Sequence, residues 1–185
     1  MIRKVTSSDY EELKKLVYQV HKLHYKNRPD IYIDGNPLPL EYFNEILNDE
    51  NAFNYVYVED NKILGLIIAK QKSNCAIPIS KQRTTYFIED IVVDKNSRRK
   101  GIGKMLYYFL KEQASKENTD AIELNVWAFN ESAIKFYESL GMSVKNMKLE
   151  QILNKDYVEK INKKDSEIRI TYKVGDDKWE IIQFL

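Results

Sequence analysis

Apolar residues recur along this chain with two periods, and the switches between them mark its elements. A short strand at Ile2 to Val5 comes first. Leu13, Leu16, Val17, Val20 and Leu23 then follow the spacing of one helical face and predict a helix running to about Lys26. Ser8, with Glu11 three residues later, reads as the capping box that opens it. Asn27 to Pro39 carries three prolines and Gly35 and reads as a loop. Tyr42, Phe43, Ile46 and Leu47 are the apolar set of a second helix, about Leu40 to Leu47. Ala52 to Glu59 and Lys62 to Lys70 are strands around Asp60-Asn61, a hairpin signal.

A polar stretch, Gln71 to Arg83, leads into Thr84 to Asp94, which is dense in β-branched and aromatic residues. Ile102, Met105, Leu106, Phe109 and Leu110 sit at i, i+3, i+4, i+7 and i+8 and predict a strong amphipathic helix. Ala121 to Trp127 reads as a strand, and Asn130 begins a helix that stops at Leu140-Gly141, a C-cap glycine. Met142 to Leu153 supplies one or two final strands. Asn154 to Lys164 is polar, with no clear apolar face. Beyond it Ile168, Ile170, Tyr172 and Val174 alternate with Arg169, Thr171 and Lys173, and Gly175-Asp176-Asp177 separates them from Trp179 to Leu185. That is a β-hairpin signature. Residues 1–153 therefore form one mixed α/β domain, and 154–185 an extension packed on it or at a dimer interface, because an isolated hairpin is marginal in water.

Composition narrows the function. The 185 residues include 43% apolar types, with 13 Tyr and 7 Phe, which excludes disorder and low complexity. Lys plus Arg is 29 and Asp plus Glu is 28, so no global field draws the chain onto nucleic acid or an anionic membrane. The single cysteine, Cys75, forms no internal disulfide, and His21 and His24 are far from it in sequence. No disulfide framework and no zinc cluster follow. The start, Met1-Ile2-Arg3-Lys4-Val5-Thr6, lacks the apolar core of a signal peptide, and Ile63 to Ala69 is too short to span a bilayer. A cytoplasmic protein without a membrane partner is expected.

The candidate chemistry lies where strand, basic glycine loop and helix meet: Glu89-Asp90-Ile91-Val92-Val93-Asp94, then Arg98-Arg99-Lys100-Gly101-Ile102-Gly103-Lys104. A helix N-terminus offers free N–H groups and partial positive charge, glycine lets an anion approach the backbone, and four cationic side chains surround the place. A pyrophosphate suits it. The loop is neither a Walker loop nor a Rossmann fingerprint, since the glycine and lysine spacings differ. A nucleic-acid partner is disfavoured, because the cluster is short and lacks interleaved aromatics.

Arg98, Gly101 and Gly103 fill the fixed positions of Arg/Gln-x-x-Gly-x-Gly/Ala, and Asn130, Ala133, Phe136 and Tyr137, then Gly141-Met142, repeat a second pattern in the right order. In both, over about Ile2 to Leu153, the chain resembles the GNAT N-acetyltransferase superfamily. The resemblance implies a central, mixed and mostly antiparallel sheet flanked by helices, with the C-terminal hairpin as an addition. It also implies acetyl-CoA as co-substrate, with no metal, and direct transfer to a primary amine of a small molecule or peptide.

The pantetheine arm would lie along Ile91, Val92 and Val93, and the diphosphate on the N–H groups from Arg99 to Lys104. Asn130 would help at the arm, and Tyr137 would face the sulfur as general acid. An amine needs a proton acceptor, because at neutral pH it is mostly protonated. Glu89 is the first candidate and Asp90 the alternative, since adjacent strand residues point to opposite faces. The backbone N–H of Val92 or Val93 would hold the carbonyl oxygen. Periodicity alone would make Tyr137 a core residue, and Asn125 and Trp127 either line the site or pack. The acceptor would be bound by residues of about Tyr25 to Tyr42 and Ser143 to Leu149. The rival readings are a catalytically silent acyl-CoA sensor and an interaction module, and a homodimer is one role for the tail.

Overall fold

A computed structural model describes residues 1–74 and 78–153, and the backbone of 170–174 and 177–181. In chain order the elements are β1 (Ile2–Lys4), α1 (Tyr10–Asn27), α2 (Leu40–Asn48), β2 (Ala52–Glu59), β3 (Lys62–Ser73), β4 (Thr84–Val93), α3 (Ile102–Lys116), β5 (Ala121–Leu124), α4 (Glu131–Glu138), β6 (Ile170–Val174) and β7 (Asp177–Ile181). The chain divides into two compact units, Met1–Ser143 and Val144–Leu185.

In the first unit five strands form one sheet in the order β1-β2-β3-β4-β5. The first four pair antiparallel, and β5 joins β4 in parallel. The β2–β3 hairpin closes through Asp60 and Asn61, both in the left-handed region that a tight two-residue turn requires. Helices cover both faces. Leu13, Leu16 and Val17 of α1 and Phe43 and Ile46 of α2 bury against Val56, Leu66, Ile68 and Val92. Ile102, Leu106, Tyr107 and Leu110 of α3 bury against Phe53, Ile67, Ala69, Tyr86 and Ile88 on the opposite face. The mixed α/β layering expected from the sequence is present.

Three local expectations are corrected. The turn that opens α1 is built by Thr6 and Asp9, not by Ser8 and Glu11: the Asp9 carboxylate accepts from the Thr6 N–H at 2.8 Å and from its hydroxyl at 3.0 Å. Arg3 holds the same carboxylate with two bonds of 2.7 and 2.8 Å, which anchors the turn to β1 and fixes where the helix begins. The strand expected at Ala121 to Trp127 ends at Leu124. Met142 to Leu153 forms no strand, and Val144, Met147, Leu149 and Leu153 are exposed. Alternating apolar residues make a strand only when another strand satisfies their backbone.

The predicted ends of α4 hold. Asn130 Oδ1 accepts from the Ala133 N–H at 3.2 Å, and Gly141 takes a φ of +84° while the Met142 N–H returns to the Tyr137 carbonyl. In the second unit β6 and β7 pair antiparallel, Tyr172 opposite Trp179. The polar segment Asn154 to Lys164 lies outside the described residues, as do Ile168, Cys75 and residues 182–185.

Candidate active site

The site is centred on an irregularity in β4. Across the β3–β4 ladder Ile68 faces Asp90 but Ala69 faces Ile88, so Glu89 is an extra residue that β3 does not match. It is a β-bulge, and it resets the alternation of side chains. Ile88 points into the core under α3, whereas Val92, four residues on, points into the core under α1 and α2. A regular strand would place these two on one face. Between them Glu89 and Asp90 both turn to the α1/α2 face, so the expectation that adjacent residues oppose each other fails here.

The parallel ladder of β4 with β5 runs from Thr85–Ala121 to Ile88–Leu124 and stops where the bulge begins. Beyond it the β4 edge facing β5 is open. The Asp94 N–H donates inward to Leu64 of β3, so by strand alternation the Ile91 and Val93 backbone groups face outward. The Arg98 side chain reaches that edge, donating from Nε to the Val93 carbonyl at 3.3 Å. Val92 is buried and its backbone pairs inward, so of the two residues expected to hold a carbonyl oxygen only Val93 presents its N–H to the cleft, together with Ile91.

The basic loop forms as anticipated. Asp94 caps the turn Lys95–Ser97, its carboxylate accepting from the Asn96 N–H, and Gln19 of α1 clamps the same place through Asp94 and the Lys95 N–H. Arg99 has φ of +66° and Gly101 of +83°, so the chain turns sharply before α3. The first intrahelical bond is Met105 N–H to Gly101 carbonyl, and no side chain caps Gly101. The N–H groups of Ile102, Gly103 and Lys104 thus stand free of the helix ladder, an anion cradle of the kind a diphosphate fits. A Cβ on Gly103 would lie 3.1 Å from the Phe136 ring of α4, so glycine permits the close contact that brings the two sequence motifs together. Arg98, Lys100 and Lys104 are on or beside this loop; Asn130 is engaged as the cap of α4.

The titratable groups interact strongly. Asp90 is pushed up to about 6, first by burial and then by the negative charge of Glu89. Tyr137 of α4, which packs with the core under α3, is driven above the usual phenol value by burial and then by the charge on Asp90. On the other side Tyr42 of α2 is also raised, by burial and then by Glu89 and Asp90. Glu89 Oε2 has no hydrogen-bond partner, and Lys70 Nζ of β3 stands 3.9 Å from it and 3.3 Å from Asp49 at the end of α2. Sequence reasoning did not find Lys70, Asp49 or Gln19 as parts of this neighbourhood. Only the strand register, which puts Lys70 on the same face as Glu89, could have pointed to Lys70.

Elsewhere the loop after α1 meets the β5–α4 connection. Trp127 Nε1 donates to the Tyr32 hydroxyl at 3.1 Å, Phe129 stacks on Trp127, and His24 stacks on Tyr32. Arg28 lies over the Trp127 ring and is bonded to Asp30. Trp127 therefore packs, and the histidines serve this aromatic wall. Among the described residues no group of three His, Cys, Asp or Glu could hold a metal ion, and no helix is long and apolar enough to cross a membrane.

Comparison with known proteins places this architecture. The sequence profile of the acetyltransferase (GNAT) family matches residues 17–142. L-ornithine N5-acetyltransferase NATA1 of Arabidopsis thaliana is 41% identical over 59 residues, 32% of this chain and 26% of that protein. The uncharacterized N-acetyltransferase MJ1207 of Methanocaldococcus jannaschii is 29% identical over 147 residues, 79% of this chain and 62% of that protein. The match thus spans less than two thirds of either relative. In structure, the tetramutant of the BH1408 protein from Bacillus halodurans superposes with a TM-score of 0.81 at 34% identity, over 83% of this chain and 99% of that one. With the profile matched over most of its length, the chain belongs to the acetyltransferase (GNAT) family.

Proposed function

We propose that the protein is an acetyl-CoA-dependent N-acetyltransferase that transfers the acetyl group directly to a primary amine of a small molecule or peptide. The observation that carries this reading is the bulge at Glu89, which turns two carboxyls to one face where β4 parts from β5, beside Tyr137. Acetyl-CoA supplies an activated thioester carbonyl. The free N–H groups at the start of α3, with Arg98, Arg99, Lys100 and Lys104 near them, hold its diphosphate, and Asn130 sits at the pantetheine end. The outward backbone of Ile91 and Val93 holds the arm, and an N–H there polarises the carbonyl.

The Glu89–Asp90 pair takes the amine proton. Asp90 is suited to it, because a base titrating near 6 is ionised at neutral pH yet more basic than a solvated carboxylate. Tyr137 keeps its proton through neutral pH and returns one to the departing sulfur. The described residues around the site include no cysteine, so a direct transfer needs no covalent acetyl-enzyme.

The acceptor side supports a cationic amine. Glu89 and Asp90 both act on Tyr42 of α2, so two carboxyls and a phenol lie together. One matched relative bears the name of an ornithine acetyltransferase. The site residues are tested by Glu89→Gln, Asp90→Asn and Tyr137→Phe in a thiol-release assay; full activity in Asp90→Asn and Tyr137→Phe would remove the assignment. The extension at 154–185 carries a hairpin that needs a partner surface, and a homodimer supplies one. Sedimentation of a chain ending at Leu153 against the full chain tests that: an unchanged oligomeric state counts against it.

A further inference from the structure

Lys70 lies outside both sequence motifs, and no step above uses it. It is a β3 residue whose neighbours along the strand, Leu66 and Ile68, point into the core under α1 and α2. Lys70 shares their face, which is also the face to which the bulge turns Glu89 and Asp90. Its ammonium stands 3.3 Å from the Asp49 carboxylate and 3.9 Å from that of Glu89, and all three side chains are less than a third exposed. Asp49 is the cap of α2, its N–H bonded to the Glu45 carbonyl, and α2 also carries Tyr42. One cation thus links the end of the helix over the site to the bulge in its floor.

Resting on the reading of Glu89 and Asp90 as the proton-accepting pair, the geometry points to Lys70 as the positioning residue of that pair. Tied to Asp49, its ammonium stands beside the Glu89 carboxyl and offsets part of the negative charge that raises Asp90. Two adjacent carboxylates on one partly desolvated face repel, and a cation beside one of them weakens that repulsion. The groups that interact with the pair are Tyr42 from α2, Lys70 from β3 and Tyr137 from α4, with Glu45 acting on Tyr42 and Asp49 on Lys70. Among these Lys70 is the cation, so the charge that Asp90 meets depends on it.

The test reads the pair directly and needs no acceptor. Carbon-13 carboxyl spectra of the full chain are followed from pH 4 to 9, with the Asp90 signal assigned by its loss in Asp90→Asn. In Lys70→Met the Asp90 midpoint moves up by roughly one pH unit, because the Glu89 charge that raises it loses the cation beside it. In Lys70→Arg, which keeps the charge, it stays at the wild-type value. In Asp49→Asn, which frees the ammonium for Glu89 and removes a negative charge, the midpoint moves down. An unmoved midpoint in folded Lys70→Met, or an upward move in Asp49→Asn, overturns the inference. The two readings fail separately: acetyl transfer that ignores Asp90→Asn, beside a shifted midpoint in Lys70→Met, refutes the catalytic pair and leaves the counter-ion standing.

Discussion

Replacing Asp90 by Asn removes the proposed base, and the structure also requires it to stabilise the protein in one pH range. Burial, and then the charge of Glu89, raise this carboxyl from an ordinary 3.8 to about 6 in the folded chain. The unfolded chain releases the proton near pH 4, whereas the folded chain keeps it to about pH 6. Between those values the folded state binds more protons, so stability falls as pH rises and the whole penalty is in force above about pH 7. A displacement of about two units at about 1.4 kcal/mol each amounts to about 3 kcal/mol.

Asparagine has the same shape and no proton to lose. Asp90→Asn is therefore more stable than the wild type by up to about 3 kcal/mol at pH 8, and the gain shrinks towards zero near pH 4. Urea unfolding of both proteins at pH 4, 6 and 8, with acetyl transfer measured on the same samples, gives the two quantities. Greater stability at pH 8 beside lost activity is the signature of a catalytic group held at a cost to the fold. A difference independent of pH, or a variant less stable at pH 8, would refute the argument.

Other perturbations follow from the same geometry. Gly103→Val forces a branched side chain against Phe136, whose ring already stands 3.1 Å from the Cβ position. About 1–3 kcal/mol of stability is lost in chemical denaturation, with weaker acetyl-CoA binding by calorimetry. Gly101→Ala places a side chain at φ of +83°, and thermal unfolding should report a loss of about 1 kcal/mol. Asp9 is opposed by burial, but the bonds from Arg3 and Thr6 hold its carboxyl below the ordinary value. It therefore contributes stability that is present above about pH 4 and lost as pH falls through the folded value. In Asp9→Asn this part of the acid titration disappears from a pH series of unfolding curves.

What could be read along the chain divides by range. The Asp60-Asn61 turn, the Asn130 cap and the Gly141 stop are decided by residues within a few positions, and the sequence reading located them. The free N–H groups at the start of α3 are equally local, because a helix leaves its first N–H groups outside its own ladder. The bulge is different. It exists because β3 pairs Ile68 with Asp90 and Ala69 with Ile88, a relation between strands that β4 alone does not contain. Apolar residues on both sides of Glu89-Asp90 also hide the change of phase, since β4 is buried on both faces and does not alternate. Lys70 and Gln19 escaped for the same reason, being brought to the site by packing across the sheet. At Met142 to Leu153 the error ran the other way, alternation being taken for pairing.

The central claim is acetyl transfer by this cleft, and it is tested most directly by acetyl-CoA-dependent thiol release. The acceptors are ornithine, polyamines, aminoglycosides, amino acids and short peptides, with Tyr137→Phe as the control. Release with one amine class, falling about 10-fold or more in the variant while acetyl-CoA binding persists, is the predicted result. Release that Tyr137→Phe leaves untouched would contradict the assignment of the site. Acetyl-CoA binding without release from any amine would contradict the enzyme and favour an acyl-CoA sensor.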